Sequence, residues 1–324
     1  MTVRLGLLST ARINSEILAA AGESGDAEVL AVASRDRARA ETYAREHGIA
    51  CAHGSYEELL ADPEVDAIYN SLPNALHVPW SARALEAGKH VLCEKPLSRR
   101  PEQVEELFDL AAREGLVVQE AFMYRHHPQS VRIAELVRGE AIGPLRSVYA
   151  VFSFLLTDPG NIRMSPELDG GALMDVGCYC VSGSRLVAGE PERVSGEQLV
   201  AESGVDVAFH GTMRFPGDIV AQFEASFASP RRQRLEVVGE EGRLVVEAPW
   251  RPDWGGDIVL HRDGEVERVE VPEANAYRLE VENLAAAIRG EREPFPGRDD
   301  AVAQARVLAA LYRSADEGRA VSID

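Results

Sequence analysis

No run in the 324-residue chain approaches the roughly 20 consecutive apolar residues that a membrane-spanning helix needs. The opening stretch, MTVRLGLLST, has neither a long apolar core nor a small-residue cleavage site. No signal peptide is expected from it, and a cytoplasmic location is the default expectation. Basic residues are scarce: 34 Lys and Arg stand against 53 Asp and Glu, a formal net charge of −19. A general nucleic-acid binder needs clustered Lys and Arg for its phosphate contacts, so neither nucleic acid nor membrane is expected as a partner. A local basic pocket for one phosphate remains compatible with this balance. Cysteine is sparse as well. Cys51, Cys93, Cys178 and Cys180 show no zinc spacing, and the last two form only a C-x-C pair. They read as free, buried or half-buried thiols. His126 and His127 adjoin, but chain neighbours rarely ligate one ion and no carboxylate or cysteine set accompanies them. No metal is expected.

The length implies two domains, and the hydrophobic fraction of 45% is ordinary for a soluble globular protein. Up to residue 124, strand-like runs (VRLGLLS, AEVLAVAS, DAIYNSLP, HVLCEKP, LVVQEAFMY) alternate with helical spacing (ARINSEILAAAGE, RARAETYAREHG, SYEELLAD, HVPWSARALEAG, RPEQVEELFDLAAREG). Gly48 and Gly115 stand at helix ends and Pro101 near a helix start. Such alternation implies βαβ units, right-handed crossovers and a doubly wound parallel sheet whose ligand crevice lies at the carboxyl ends of its strands. Beyond residue 124 the texture changes. After PQSVRIAELVRGEAIG, LRSVYAVFSFLL and GALMDVGCYCVSGSRLVAG come DVAFHGTMRF, IVAQFEASFA, QRLEVVGEEGRLVVEA and DIVLHRDGEVERVEV, strands without helices between them. They predict an antiparallel sheet. Two amphipathic helices close the chain.

GLLSTARI (6–13) sits where the first strand turns into a helix. Against the dinucleotide fingerprint G-x-G-x-x-G, Gly6 takes the first place while Leu8 and Ala11 take the others. Gly6 would permit the tight turn and Ala11 close packing of helix on strand. The helix start, with Ser9, Thr10, Ala11, Arg12 and Ile13, would attract pyrophosphate; an ordinary strand-to-helix turn is the alternative. About 20 residues on, NAD sites usually carry an acidic residue for the ribose. VASRDRAR puts Ser34 and Arg35 there and displaces Asp36. A guanidinium grips a 2′-phosphate that a carboxylate would repel, so NADP(H) is favoured, with NAD(H) the other candidate. Alternatively, Arg35 and Arg37 merely cap a surface helix.

From NSLPNALH, the residues Asn70, Leu72, Pro73, Asn74 and His77 should line the cofactor crevice. Asn74 and His77 are candidates for ribose or phosphate, with loop and helix capping as the alternative. CEKPLS (93–98) ends an apolar strand with a charged pair and a proline. Charges there cost stability unless paired or used, which makes Glu94 and Lys95 candidates for function. Asp175 and Tyr179, four apart, would share a helix face; a core tyrosine bonded to a carboxylate is the alternative. Tyr124 and Arg125 end the last strand of the first half as candidates for nicotinamide or substrate contact. Arg163 is a candidate for a substrate oxygen, or for an exposed salt bridge.

With GLLSTARI, EKP and DVGCY together, the chain resembles the glucose-fructose oxidoreductase / inositol dehydrogenase / MocA family, nearly end to end. AGKHVLCEKPLS is the most specific stretch. EAFMYRHHPQ and NIRMSPELDGGALMDVGCYCV are similar to the branch holding dihydrodiol dehydrogenases and NADP-dependent D-xylose dehydrogenases. The resemblance implies a dinucleotide-binding Rossmann domain over 1–124. Over 125–324 it implies a substrate-binding and oligomerisation α+β domain with a large open-faced, mostly antiparallel sheet. Homo-oligomers, dimers or tetramers through that sheet, are implied, as is NAD(P)-dependent hydride transfer to or from a sugar, polyol or vicinal diol. Lys95 falls on the family's catalytic lysine, and Asp175 and Tyr179 on its Asp-x-x-x-His/Tyr pair. In that role Tyr179 would take the alcohol proton on oxidation and return it on reduction. A free phenol, with a pKa of about 10, is a poor base, and a nearby Lys95 ammonium would favour the phenolate. Glu94 would hold the loop, Pro96 would fix the turn, and Asp175 would bond a substrate hydroxyl or orient Tyr179. Two departures stand out. Ser9 replaces a common glycine, and Asp169 replaces the first glycine of a GGG run. The competing expectation is a cofactor-binding regulatory protein of the same fold without turnover; a lyase or glycosidase using nicotinamide transiently is a third. The presence of Lys95, Asp175 and Tyr179 argues against the regulatory alternative.

Overall fold

The computed structural model describes residues 1–323. Two compact units emerge: Met1–Met123 with Asn275–Val302, and Tyr124–Ala274 with the chain from Ala303 onward.

In the first unit, strands β1 (Val3–Leu8), β2 (Ala27–Ala33), β3 (Cys51–His53), β4 (Ala67–Asn70), β5 (His90–Glu94) and β6 (Val118–Ala121) alternate with helices α1 (Asn14–Glu23), α2 (Arg37–His47), α3 (Tyr56–Leu60), α4 (His77–Glu86) and α5 (Pro101–Glu114). The strands pair in parallel in the order β3-β2-β1-β4-β5-β6. That is the doubly wound order, with its switch between β1 and β4. Local chemistry sets the boundaries. Asp36 caps α2 by accepting the Arg39 N–H at 3.2 Å. Gly48 (φ 69°) and Gly115 (φ 68°) end α2 and α5 in the left-handed conformation. α5 buries Val104, Leu107, Phe108 and Ala111, the stripe expected of a helix lying on a sheet.

The second unit holds α6 (Pro128–Arg138), β7 (Leu145–Ser153), α7 (Cys178–Ala188), β8 (Arg193–Val200), β9 (Asp206–Arg214), β10 (Val220–Ser226), β11 (Arg232–Gly239), β12 (Gly242–Glu247), β13 (Ile258–Arg262), β14 (Glu265–Val269) and β15 (Val321–Ser322). Among the described residues these strands form one nine-stranded sheet, ordered β14-β13-β12-β11-β7-β10-β9-β8-β15. It is antiparallel except where β7 lies parallel to β10. A parallel neighbour needs a long return, here through α7, β8 and β9. β8 escaped the sequence reading because only Val194 in it is buried and Gly196 interrupts the strand pattern.

The last two helices are α8 (Ala276–Ile288) and α9 (Arg298–Glu317). Residues 275–302, expected with the second domain, belong to the first unit instead. α8 packs on α1, Asn275 Nδ2 donates to Glu23 Oε2 at 2.9 Å, and Arg289 pairs with Asp26 at 3.0 Å. Periodicity identifies an amphipathic helix but not the core that its apolar face covers. Among the described residues no helix is long and apolar enough to cross a membrane.

Gly183 in α7 gives room to the buried Trp250, since a Cβ there would lie 2.4 Å from Trp250 Cη2. An exposed helical Gly→Ala change gains about 1 kcal/mol. Overpacking of a core costs about 1–3 kcal/mol. Gly183→Ala should therefore lower the thermal midpoint, and a raised midpoint would show that this ring can move aside.

Candidate active site

At the carboxyl ends of β1, β4 and β5, side chains of the first unit meet several backbone groups of the turns. At the β1–α1 turn Ser9 adopts φ 129°, a conformation that favours glycine. Its hydroxyl offsets the strain by accepting the Ala11 N–H at 3.1 Å and meeting Ser71 Oγ at 2.9 Å. Asn14, fully buried, donates to Ser9 O at 2.8 Å and accepts from Ser71 Oγ at 2.7 Å. Thr10, Ala11, Arg12 and Ile13 lead into α1, where the Asn14, Ser15 and Glu16 amides donate to Ala11 O, Arg12 O and Ile13 O, so the positive end of the helix dipole lies at this turn. Such a start favours an anion.

The β5 turn is held peptide by peptide. Tyr69 donates to Glu94 Oε1 at 2.5 Å, and Glu94 Oε2 accepts the Lys95 N–H at 3.3 Å. The Pro96 carbonyl meets His77 Nδ1 at 2.8 Å, and the Leu97 N–H reaches Glu120 Oε1 at 2.8 Å. Half-buried Lys95 thus rides on a braced loop. Burial first, and then the Glu94 charge, pushes the carboxyl of Glu280 on α8 well up. At the end of β2, Ser34 Oγ accepts the Asp36 N–H at 3.3 Å. Asp36 is occupied in capping α2, and Arg37 pairs with Glu58 at 2.6 Å. Arg35 is exposed, and its guanidinium lies against the Tyr56 phenol.

In the second unit Asp175 lies in a π-helical turn (173–177) leading into α7, where the Cys178 N–H reaches back to Leu173 O. Extra-residue turns of this kind recur at functional sites. Arg163 Nε donates to Asp175 Oδ2 at 2.7 Å. Asp169 takes φ 51° in the loop between them, a left-handed position that aspartate tolerates. Tyr179, 8% exposed, is set among rings: Phe152 at 5.5 Å, Tyr124 at 5.8 Å and Trp250 at 6.1 Å between centroids.

A family model described as "Oxidoreductase family, NAD-binding Rossmann fold" matches residues 3–122, and one described as "GFO/IDH/MocA C-terminal domain" matches residues 130–245. The chain belongs to the GFO/IDH/MocA oxidoreductase family. Among its relatives, D-xylose 1-dehydrogenase (NADP(+)) 2 of Haloferax volcanii is 40% identical, over 98% of this chain and 99% of that one. Trans-1,2-dihydrobenzene-1,2-diol dehydrogenase of Xenopus laevis is 34% identical over 78% of each. A solved 3-ketoreductase from Actinomadura kijaniata, in complex with NADP and TDP-benzene, superposes with a TM-score of 0.92 at 30% identity, over 97% of this chain and 98% of that one.

Several side chains of this family member sit otherwise than expected. Gly6 does not make the turn. It lies inside β1, where a Cβ would come within 2.9 Å of Leu59 Cδ1, so it serves packing. Asn70 is fully buried; its amide donates to His77 O at 2.9 Å and Ser81 Oγ at 3.0 Å and accepts the Leu72 N–H at 3.2 Å. Its polar atoms are committed inside the protein. His77 is buried too, with Nε2 at 2.7 Å from Leu72 O in addition to the Pro96 contact. Each ring nitrogen faces a backbone carbonyl, and the neutral ring donates to one of the two, so its polar edge lies against the crevice loops. Leu72 is buried, while Pro73 and Asn74 are half-buried in the short 3-10 turn that precedes α4. Tyr124 and Arg125 are inside as well, and their polar ends converge on Ser182 Oγ at 2.7 and 3.4 Å. His127 Nδ1 accepts the Gln129 N–H at 3.1 Å, which makes it a helix cap. Sequence reasoning missed Asn14 and Glu120, since long-range contacts alone give them a task.

Burial first and the Lys95 charge with it lower the His77 pKa to about 4, against the pull of its two carbonyls. The folded value lies below the unfolded one, so the unfolded state binds the extra proton. Stability is full above about pH 6.5 and lost as pH falls toward 4. Between pH 7 and 5 wild type should lose about 1–2 kcal/mol more than His77→Gln in urea unfolding. Parallel losses in the two would show that His77 titrates normally.

Proposed function

We propose that this protein is an NADP-dependent dehydrogenase or reductase acting on a CH–OH group of a sugar, polyol or vicinal diol. The mounting of Tyr179 carries the proposal: a buried phenol walled by aromatic rings, one turn from a carboxylate already paired with an arginine. A ring-lined, water-poor setting suits a group that must exchange one proton with one substrate hydroxyl. Variants of the Actinomadura ketoreductase at a tyrosine and at a lysine have been solved. That lysine and tyrosine are as far apart along their chain as Lys95 and Tyr179 are here.

The first unit fits a dinucleotide. It has a helix start at the sheet's switch point and an exposed guanidinium where a 2′-phosphate would lie. Ser9, Thr10, Ala11, Arg12 and Ile13 would hold the pyrophosphate, Ser34 and Arg35 the ribose phosphate, and Pro73 and Asn74 the crevice wall. When bound, the nicotinamide supplies or accepts the hydride. Tyr179 then takes the alcohol proton on oxidation, or returns it on reduction. Lys95 is the cationic group of the reaction, and Glu94 braces the loop that carries it. Asp175, steadied by Arg163, orients the substrate hydroxyl. The NADP preference rests on Asp36 being occupied while Arg35 is exposed, and on the NADP-dependent relatives. Assembly into homodimers through the nine-stranded sheet completes the proposal.

With Tyr179→Phe, turnover of the best substrate in an aldose and diol panel should fall by about 10²–10⁴-fold, the usual worth of a general acid–base group. NADPH affinity by fluorescence titration should stay nearly constant, and undiminished turnover would remove Tyr179 from proton transfer. Arg35→Ala should weaken NADPH by about 10–100-fold, the loss of one charged hydrogen bond, and leave NADH nearly untouched. Equal losses for both would sink the 2′-phosphate assignment.

A further inference from the structure

Asp206 opens β9 and is 4% exposed. A carboxylate taken out of water must be bonded or it destabilises the fold. Its Oδ2 accepts the Leu173 N–H at 2.7 Å, and its Oδ1 accepts the Tyr312 hydroxyl of α9 at 2.9 Å. Leu173 begins the helical segment that carries Asp175 and Tyr179. A buried anion at such a start gains both a charge-assisted bond and the helix dipole.

Gly171 shows how close this fit is. It holds φ 122°, and a Cβ there would lie 2.1 Å from Asp206 Oδ1. The carboxylate fills the place of a side chain at 171. Tyr312 is seated in turn, edge-on to Phe209 at 5.8 Å between centroids, and Phe209 stacks on Phe223 at 6.1 Å. From the other side, the Gly171 N–H bonds Arg163 O at 3.0 Å while the Arg163 side chain holds Asp175. The loop is therefore gripped twice: Asp206 sets where the helical segment begins, and Arg163 sets where the Asp175 carboxylate points.

We infer that Asp206 and Tyr312 are positioning residues for Asp175 and Tyr179, an inference that rests on the proton-transfer role proposed for Tyr179. Neither acts on substrate. Asp206 fixes the first peptide of the segment and Tyr312 holds Asp206, so a shift of that start displaces both site side chains together. Misplacement by about 1 Å can cost about 10²-fold in rate.

Amide hydrogen exchange over residues 171–179 reads the positioning without any turnover. Asp206→Ala and Gly171→Ala in the full chain should speed exchange there by about tenfold or more, with peptides of residues 3–122 unchanged. Asp206→Asn, whose amide oxygen can still accept the Leu173 N–H, should fall between them and wild type, as should Tyr312→Phe, which guards against a failure of the alanine variants to fold. Wild-type exchange in all four overturns the inference. Turnover of D-xylose and of a trans-dihydrodiol with NADP+ reads the consequence: kcat down about tenfold or more in Asp206→Ala, partly restored in Asp206→Asn, with NADPH affinity unmoved. Full kcat despite a loosened segment overturns the positioning role and leaves the proposed function standing. A wild-type protein that turns over neither compound counts against the function, while the exchange data still decide whether Asp206 sets the segment.

Discussion

The hydrogen bond from the buried Leu97 amide to Glu120 stands for the constraint on which the rest depends. A crevice at strand ends needs loops that turn inside the protein, and a buried peptide group without a partner destabilises by about 1–3 kcal/mol. This chain meets the demand with side chains rather than ladders. Asn14 serves the first turn, Asn70 the second and Glu94, His77 and Glu120 the third. Charged and amide residues that look like ligands in the sequence are spent on this bracing. Arg35, at the end of β2, is by contrast exposed.

The second unit solves the same difficulty at a different place. Its helical segment starts beneath a sheet, and a buried carboxylate from β9 receives the first amide. Two glycines follow Asp169 and allow the backbone of Arg163 to approach, since a Cβ at Gly170 would lie 2.4 Å from Arg163 O. Asp169 itself can replace glycine because its left-handed conformation needs no missing Cβ. The aromatic wall follows from α7, where Gly183 admits Trp250 and Trp250 meets Tyr124 edge-on at 5.3 Å.

Much of this was legible in advance, for identifiable reasons. The βαβ alternation shows because strands buried on both faces read as apolar runs and helices as 3.6-period stripes. CEKPLS stood out because a charged pair after an apolar strand is unfavourable unless paired or used, and in the fold Glu94 is bonded to Tyr69. Gly6 misled because a glycine in a strand and a glycine in a turn look alike until the neighbours are known. His77 and Asn70 misled because a polar residue near a crevice can serve the backbone as readily as a ligand, and spacing does not separate the two. Arg163 pairs with the half-buried Asp175 carboxylate, a partner that no spacing rule singles out.

By itself the sequence determined most of the strands and helices, β8 apart, where the architecture changes, and which residue types stand at strand ends, because periodicity and turn chemistry act over a few neighbours. Only the tertiary structure decided which core claims α8, that β7 and β10 run parallel, and that Asp206 meets Leu173 from 33 residues away. Those choices depend on burial and on the pairing of polar groups brought together from distant parts of the chain, and no local pattern records them.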